Sequence, residues 1–168
     1  MSVSKGWKIL PVPEPSVKKA ERIENYVRDL GLSGSCFDPC YLAFFDCFNA
    51  QEYYEAHDVL EHLWLKGRDE HYAFYKGLIQ LAGAFVHLKK QRLRPMHAKD
   101  GRRLAPGSRL FKLALRNFEV YPDIYEGLDL RVVRALAQAM IQKIEDSEFQ
   151  FNPWTEDTAP RLLPDVTN

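Results

Sequence analysis

Residues 53–90, YYEAHDVLEHLWLKGRDEHYAFYKGLIQLAGAFVHLKK, constrain this chain more than any other stretch. They read as two helices joined by a short charged turn around Gly67 and Asp69. In the second, over about 71–90, Phe74, Leu78, Leu81 and Phe85 fall on one side and Ile79, Ala82 and Val86 on another. A helix that is apolar nearly all round must lie at the centre of its fold. In the first, Tyr53, Ala56, Leu60, Leu63 and Trp64 form one apolar face, with His57 inside it and Glu61 on its border. Glu55 and Asp58 fall outside that face, as solvated acids or as partners of a Lys or Arg on a neighbouring helix. Gln80 and His87 are seven residues apart and share a face, and Gly83 and Ala84 between them allow a neighbouring helix to come close.

The flanking segments supply helices to cover this pair. Pro11, Pro13 and Pro15 mark residues 1–15 as an extended arm, with Trp7, Ile9 and Leu10 available to pin it to the body. Ser16 has the character of an N-cap for a helix over 17–30 that stops at Gly31. Asp38-Pro39 starts a short apolar helix. Asn49, with Glu52 three residues on, has the form of a capping box, so the next helix is expected from Ala50 to about Lys66. Residues 91–106 show no apolar periodicity and read as an irregular basic loop. A helix then starts near Gly107-Ser108 and ends before Pro122. Asp129 caps the last helix, with Val132, Val133, Leu136, Met140 and Ile144 facing inward. Residues 149–168 form a Pro- and aromatic-containing tail, with Trp154 available to pack on the body. No segment alternates over a strand's length. The expected fold is all-α, a single-domain bundle of about six helices over 16–148 around a central antiparallel helix pair.

Two segments, FNAQEYYEAHDVLEHLW at 48–64 and FYKGLIQLAGAFVH at 74–87, resemble a helical family catalogued as domain of unknown function 309. The residues that carry the resemblance are Asn49, Tyr54, Glu55, Ala56, His57, Glu61, Trp64, Gly77, Leu78, Ile79, Gln80 and His87. GSRLFKLAL from Gly107 looks like that family's third core helix, so the likeness covers roughly residues 40–120. Asp58 stands where the family usually has Glu and Lys76 where it often has Gln, and the basic loop 91–106 replaces a short linker. The resemblance implies an all-helical fold and carries no established activity.

If the faces of the central pair meet, His57, Glu61, Gln80 and His87 converge, with Glu55 and Trp64 beside them. Such a set serves as a buried hydrogen-bonded network, because buried polar groups need partners. Alternatively it is a ligand pocket, or a metal site in which His57, Glu61 and His87 hold one divalent transition metal with a position left for water. The spacing is neither the zincin HExxH nor the paired Glu-x-x-His sets of a di-iron bundle. The second candidate is basic. Between Lys89 and Arg116 lie ten Lys or Arg and one acid, on a chain of zero formal net charge. Arg102, Arg103 and Arg109 around the expected helix start at Gly107-Ser108 would make an anion site for a phosphorylated molecule or nucleic acid. Cys36, Cys40 and Cys47 lack a CxxC or a nearby His and are expected as core thiols.

Nucleophile elbows, phosphate-binding glycine loops and dinucleotide fingerprints are absent. No apolar run is long enough to span a bilayer, so no membrane partner is expected. The first residues lack the apolar core of a signal peptide, and the expected setting is a reducing cytoplasm. The leading expectation is a binding or interaction module with no cofactor, held in register by the His/Glu/Gln network. Its partner would be a protein, a small anionic ligand or a second copy in a homodimer. A metal-dependent hydrolase using His57, Glu61 and His87, with Glu55 or Asp58 as base, is the alternative. A nucleic-acid or phosphate binder through residues 89–109 is the second.

Overall fold

The computed structural model describes residues 16–32 and 34–167, omitting the side chains of Ser16 and Val17. The expected arm 1–15 with Trp7, Ile9 and Leu10, and the capping side chain of Ser16, lie outside the described residues. Among the described residues six α-helices form: α1 Ser16–Asp29, α2 Pro39–Asn49, α3 Tyr53–Trp64, α4 Tyr72–Leu93, α5 Leu104–Phe118 and α6 Leu130–Asp146. Local chemistry sets several of these limits. Gly31 takes φ +66° after α1, a backbone shape that favours glycine. Asp38 Oδ1 accepts from the Cys40 amide at 2.8 Å and Asp129 Oδ1 from the Arg131 amide at 2.9 Å, so both expected caps form.

The capping box at Asn49 does not form. Asn49 is instead the last residue of α2, Gln51 turns the chain with φ +61°, and α3 starts at Tyr53 without a side-chain cap. The Asn49 amide is used elsewhere: its Nδ2 donates to the Leu162 carbonyl and its Oδ1 accepts from the Leu162 amide, both at 2.8 Å. A pairing that satisfies both ends of the side chain replaces the local cap.

α4 lies at the centre, packed between α3 and α5; α2 covers α3, α6 covers α5, and α1 rests on α2 and α3. Phe74, Leu78, Leu81, Ala82, Ala84, Phe85 and Leu88 of α4 are fully buried, as its all-round apolarity requires. The close neighbour that its small residues admit is α5. A Cβ on Gly77 would stand 2.6 Å from the Phe118 ring, and one on Gly83 would stand 3.2 Å from Leu110 Cδ1.

The basic loop is shorter and more ordered than its composition suggests. α4 runs on to Leu93, a 3-10 turn spans Asp100–Arg102, and α5 begins at Leu104 rather than near Gly107. Pro106 sits in the first turn of α5, where a missing amide proton costs no helical bond. Two strands that the sequence did not announce, β1 Ile124–Tyr125 and β2 Leu128–Asp129, pair as a hairpin. Glu126 and Gly127 make its turn, with φ of 49° and 71°, the left-handed pair such tight hairpins need. In α6, Val133 and Ile144 are buried and Leu136 and Met140 half-buried, but Val132 is 55% exposed, and the fully buried Ala137 is part of the inward face instead.

Beyond α6 the chain turns back across the body as an irregular strap. Trp154 is buried and its Nε1 donates to the Tyr53 hydroxyl at 2.9 Å; Asn152 Nδ2 donates to the Leu88 carbonyl at 2.8 Å. Leu162 is buried against Asn49, and the Asp165 amide donates to the Gly127 carbonyl at 2.7 Å.

Candidate functional site

α3 and α4 lie side by side as expected, but their imidazoles do not turn toward one another. On α3 the strip 55, 58, 62, spaced by three and four, faces α1. Glu55 and Asp58, expected to point away from the core, are buried at 1% and 4% exposure. Asp58 and His62 meet Lys19 and Glu24 across this seam. His57 lies instead on the half-exposed border of the helix, beside Tyr54, which is 56% exposed, and half-buried Glu61. The reason is a neighbour the periodicity could not reveal. α1 covers the flank of α3 that looked free, and with α2 and α4 on two other flanks the solvent strip falls on the side left between α1 and α4.

His57 Nδ1 donates to Asp58 Oδ1 at 3.2 Å, and Lys19 Nζ reaches Asp58 Oδ1 at 3.4 Å and Glu61 Oε2 at 3.1 Å. Glu61 therefore pairs with Lys19 and does not orient His57. Burial disfavours the Lys19 charge, but Asp58 and Glu61 outweigh it and hold its pKa above the ordinary lysine value. One ligand atom each from His57, Asp58 and Glu61 lie within 4.8 Å of one another. This is a donor set of one imidazole and two carboxylates, suited to a divalent transition metal. Among the described residues, His87 does not join it.

Gln80 and His87 do share a strip of α4, but it faces α5 and solvent rather than α3. Gln80 Oε1 accepts from Asn117 Nδ2 at 2.7 Å and His87 Nδ1 accepts from Arg103 Nη1 at 3.1 Å. Burial, and then the charges of Arg103, Lys90 and Arg109, push the His87 pKa down to about 4. Trp64, at the end of α3, stacks on Tyr72 at the start of α4, with ring centroids 5.0 Å apart.

The strips belong to one surface. Around α4, the half-buried line 76, 80, 83, 87 lies between the flank packed on α3 and the flank packed on α5. Around α3, the line 54, 57, 61 lies between the flank on α1 and the flank on α4. Because α3 and α4 are antiparallel, these orders place both lines on the same side of the layer. α5 adds Leu110, Leu113 and Asn117, spaced by three and four. Residues expected to form one buried network are thus displayed in a row across an outer face.

The expected anion site is not assembled as drawn. Gly107 and Ser108 are buried inside α5; the Gly107 amide donates to the Arg103 carbonyl at 3.0 Å and Ser108 Oγ to Glu145 at 2.9 Å. Arg103 Nε donates to Asp100 at 2.6 Å, and that bond, with burial opposing it, holds the Asp100 carboxyl below the usual range. Arg102 and Arg109 remain exposed. Of the cysteines, Cys40 and Cys47 are core thiols, whereas Cys36 is exposed on the turn before α2. Sequence reasoning also missed Lys19 as a member of the His57 cluster. Its signal was weak: a lysine on an amphipathic helix with nothing to fix which helix it faces.

The fold and the site define an all-α domain with a polar outer face on a helical layer. Residues 41–98, about a third of the chain, match the model of a family described as a domain of unknown function, DUF309. This is the family that the Glu-Ala-His and Gly-Leu-Ile-Gln segments resemble, and the match covers α2, α3 and α4. No curated protein and no solved structure matches the chain. Among the described residues, no helix is long and apolar enough to cross a membrane.

Proposed function

We propose that this chain is a binding module whose outer face over α3, α4 and α5 docks a partner protein. The observation that carries the reading is the row itself. Tyr54, His57, Glu61, Gln80 and His87 carry the family likeness, and they occupy one accessible surface instead of a closed interior. Several of these side chains are held before any partner arrives, His57 by Asp58, Gln80 by Asn117 and His87 by Arg103. Preorganised side chains lose less entropy on binding. Tyr54, Leu110 and Leu113 supply apolar area among these polar groups, the mixture that protein interfaces use. A photo-crosslinking residue at position 54 or 113 should give one discrete adduct in cells. The same residue at position 132, exposed on α6, should not. Identical adduct patterns from all three positions, or none, would remove the reading.

A second reading is favoured by the spacing of His57, Asp58 and Glu61. A divalent ion held there would take the place of the Lys19 ammonium, and the chemistry it supplies is activation of a bound water. Lys19→Met should then raise affinity for manganese or zinc in calorimetric titration. No heat above that of a His57→Ala, Glu61→Gln control would dismiss it.

A further inference from the structure

The geometry points to the corner between α4 and α5 as a docking surface for an anionic lipid bilayer. This inference does not depend on the partner-docking face, and it departs from the expectation of no membrane partner, which rested on the lack of a spanning run and does not bear on surface binding. The corner carries Arg92, Arg94, Lys99 and Arg102, all exposed, and at its apex Met96 is 94% exposed with Leu93 48% exposed beside it. The segment's one acid, Asp100, pairs with Arg94 among these four cations. It is buried, clasped by Arg103 at 2.6 Å, with Arg94 Nη1 at 3.6 Å. Arg109 and Arg116, exposed two turns apart on one face of α5, extend the positive field away from the corner.

The apex is built rather than loose. The His97 amide donates to the Arg94 carbonyl at 3.1 Å and the Gly101 amide to the His97 carbonyl at 2.8 Å. His97 Nδ1 accepts from the Asp100 amide at 3.1 Å, and a side chain on Gly101 would collide with the Pro95 carbonyl. These contacts fix a methionine outward in water, where it buries nothing. An apolar tip within a short segment of exposed guanidinium and ammonium groups fits a headgroup boundary: the thioether and Leu93 enter the acyl edge while the cations meet lipid phosphates and carboxylates. Nucleic acid fits less well. Residues 89–109 carry no phenylalanine, tyrosine or tryptophan on which bases could stack, and a phosphate backbone gives Met96 nothing to cover.

The test is flotation of the full chain with vesicles of phosphatidylcholine containing about a third phosphatidylserine, beside vesicles of phosphatidylcholine alone. The chain should float with the anionic vesicles only, and less so as salt rises. Replacing Arg92, Lys99 and Arg102 by Gln should weaken binding by roughly fivefold for each charge removed. Met96→Ser should weaken it several-fold without changing the salt dependence. All four positions are exposed, so unchanged melting temperatures confirm that the variants fold. Three outcomes overturn the inference: no flotation with anionic vesicles, flotation indifferent to Met96→Ser, or a gel shift of RNA or duplex DNA in place of vesicle binding.

Discussion

Acid should loosen α5 from α4 at one identifiable ring. His87 Nδ1 accepts its bond from Arg103, and a guanidinium has only protons to give, so the ring is neutral with its own proton on Nε2. Protonating Nδ1 removes that acceptor and sets an imidazolium against Arg103, Lys90 and Arg109. Burial and these three cations hold the pKa at about 4, against 6.5 for a free ring. Between those two values the unfolded chain binds a proton that the native chain refuses, so falling pH favours unfolding. The stabilising contribution is whole above about pH 6.5 and is lost as pH falls to about 4. At ~1.4 kcal/mol per pH unit the gap would be worth roughly 3 kcal/mol. The ring is only half-buried, and solvent screening reduces this to about 1–2 kcal/mol. His87→Gln keeps an acceptor for Arg103 and cannot titrate. Urea unfolding of both proteins at about pH 7.5 and about pH 4.5 cancels the carboxylates common to the two. The wild type should lose about 1 kcal/mol more than the variant on acidification. Equal losses would refute the account of His87 as a neutral acceptor under cationic pressure.

Other expectations are simpler. Gly77→Ala adds a methyl 2.6 Å from the fully buried Phe118 ring, and overpacking of ~1–3 kcal/mol should outweigh a helix-propensity gain of about 1 kcal/mol; a raised melting temperature would contradict the packing described. Trp154→Ala should cost about 3–5 kcal/mol in chemical unfolding, since the ring fills the core and leaves the Tyr53 hydroxyl without its donor; a loss under about 1 kcal/mol would mean that the strap is ornamental. Burial pushes the Cys40 and Cys47 thiols up to about 11 and about 12, so a thiol reagent near neutral pH should modify Cys36 alone until denaturant is added.

What could be read in advance divides along physical lines. Caps at Asp38 and Asp129 and the stop at Gly31 were legible because each depends on atoms within a few residues. The central position of α4 was legible because its apolar residues leave no solvent side. The orientation of α3 was not, since Asp58 is buried where α1 brings Lys19 to its flank, a neighbour no periodicity within α3 reveals. Asn49 misled for a related reason. Its local pattern promises a cap, but a partner more than a hundred residues away in sequence, Leu162, satisfies the side chain at both ends. The candidate site suffered most, because a helix face is named by its neighbours and not by its own residues. His87 and Gln80 do share a strip; that strip simply borders α5.

The strap across the body has a consequence for synthesis. Tyr53, Asn49 and Gly127 all await partners encoded between residues 154 and 165. Helices that leave the ribosome early can pair, but the aromatic cluster around Tyr53 stays open until this late segment emerges. The nascent chain therefore carries an unsealed seam from the emergence of α3 until residues 154–165 follow, and a pause between the two would lengthen the interval in which chaperones or neighbouring chains can reach it.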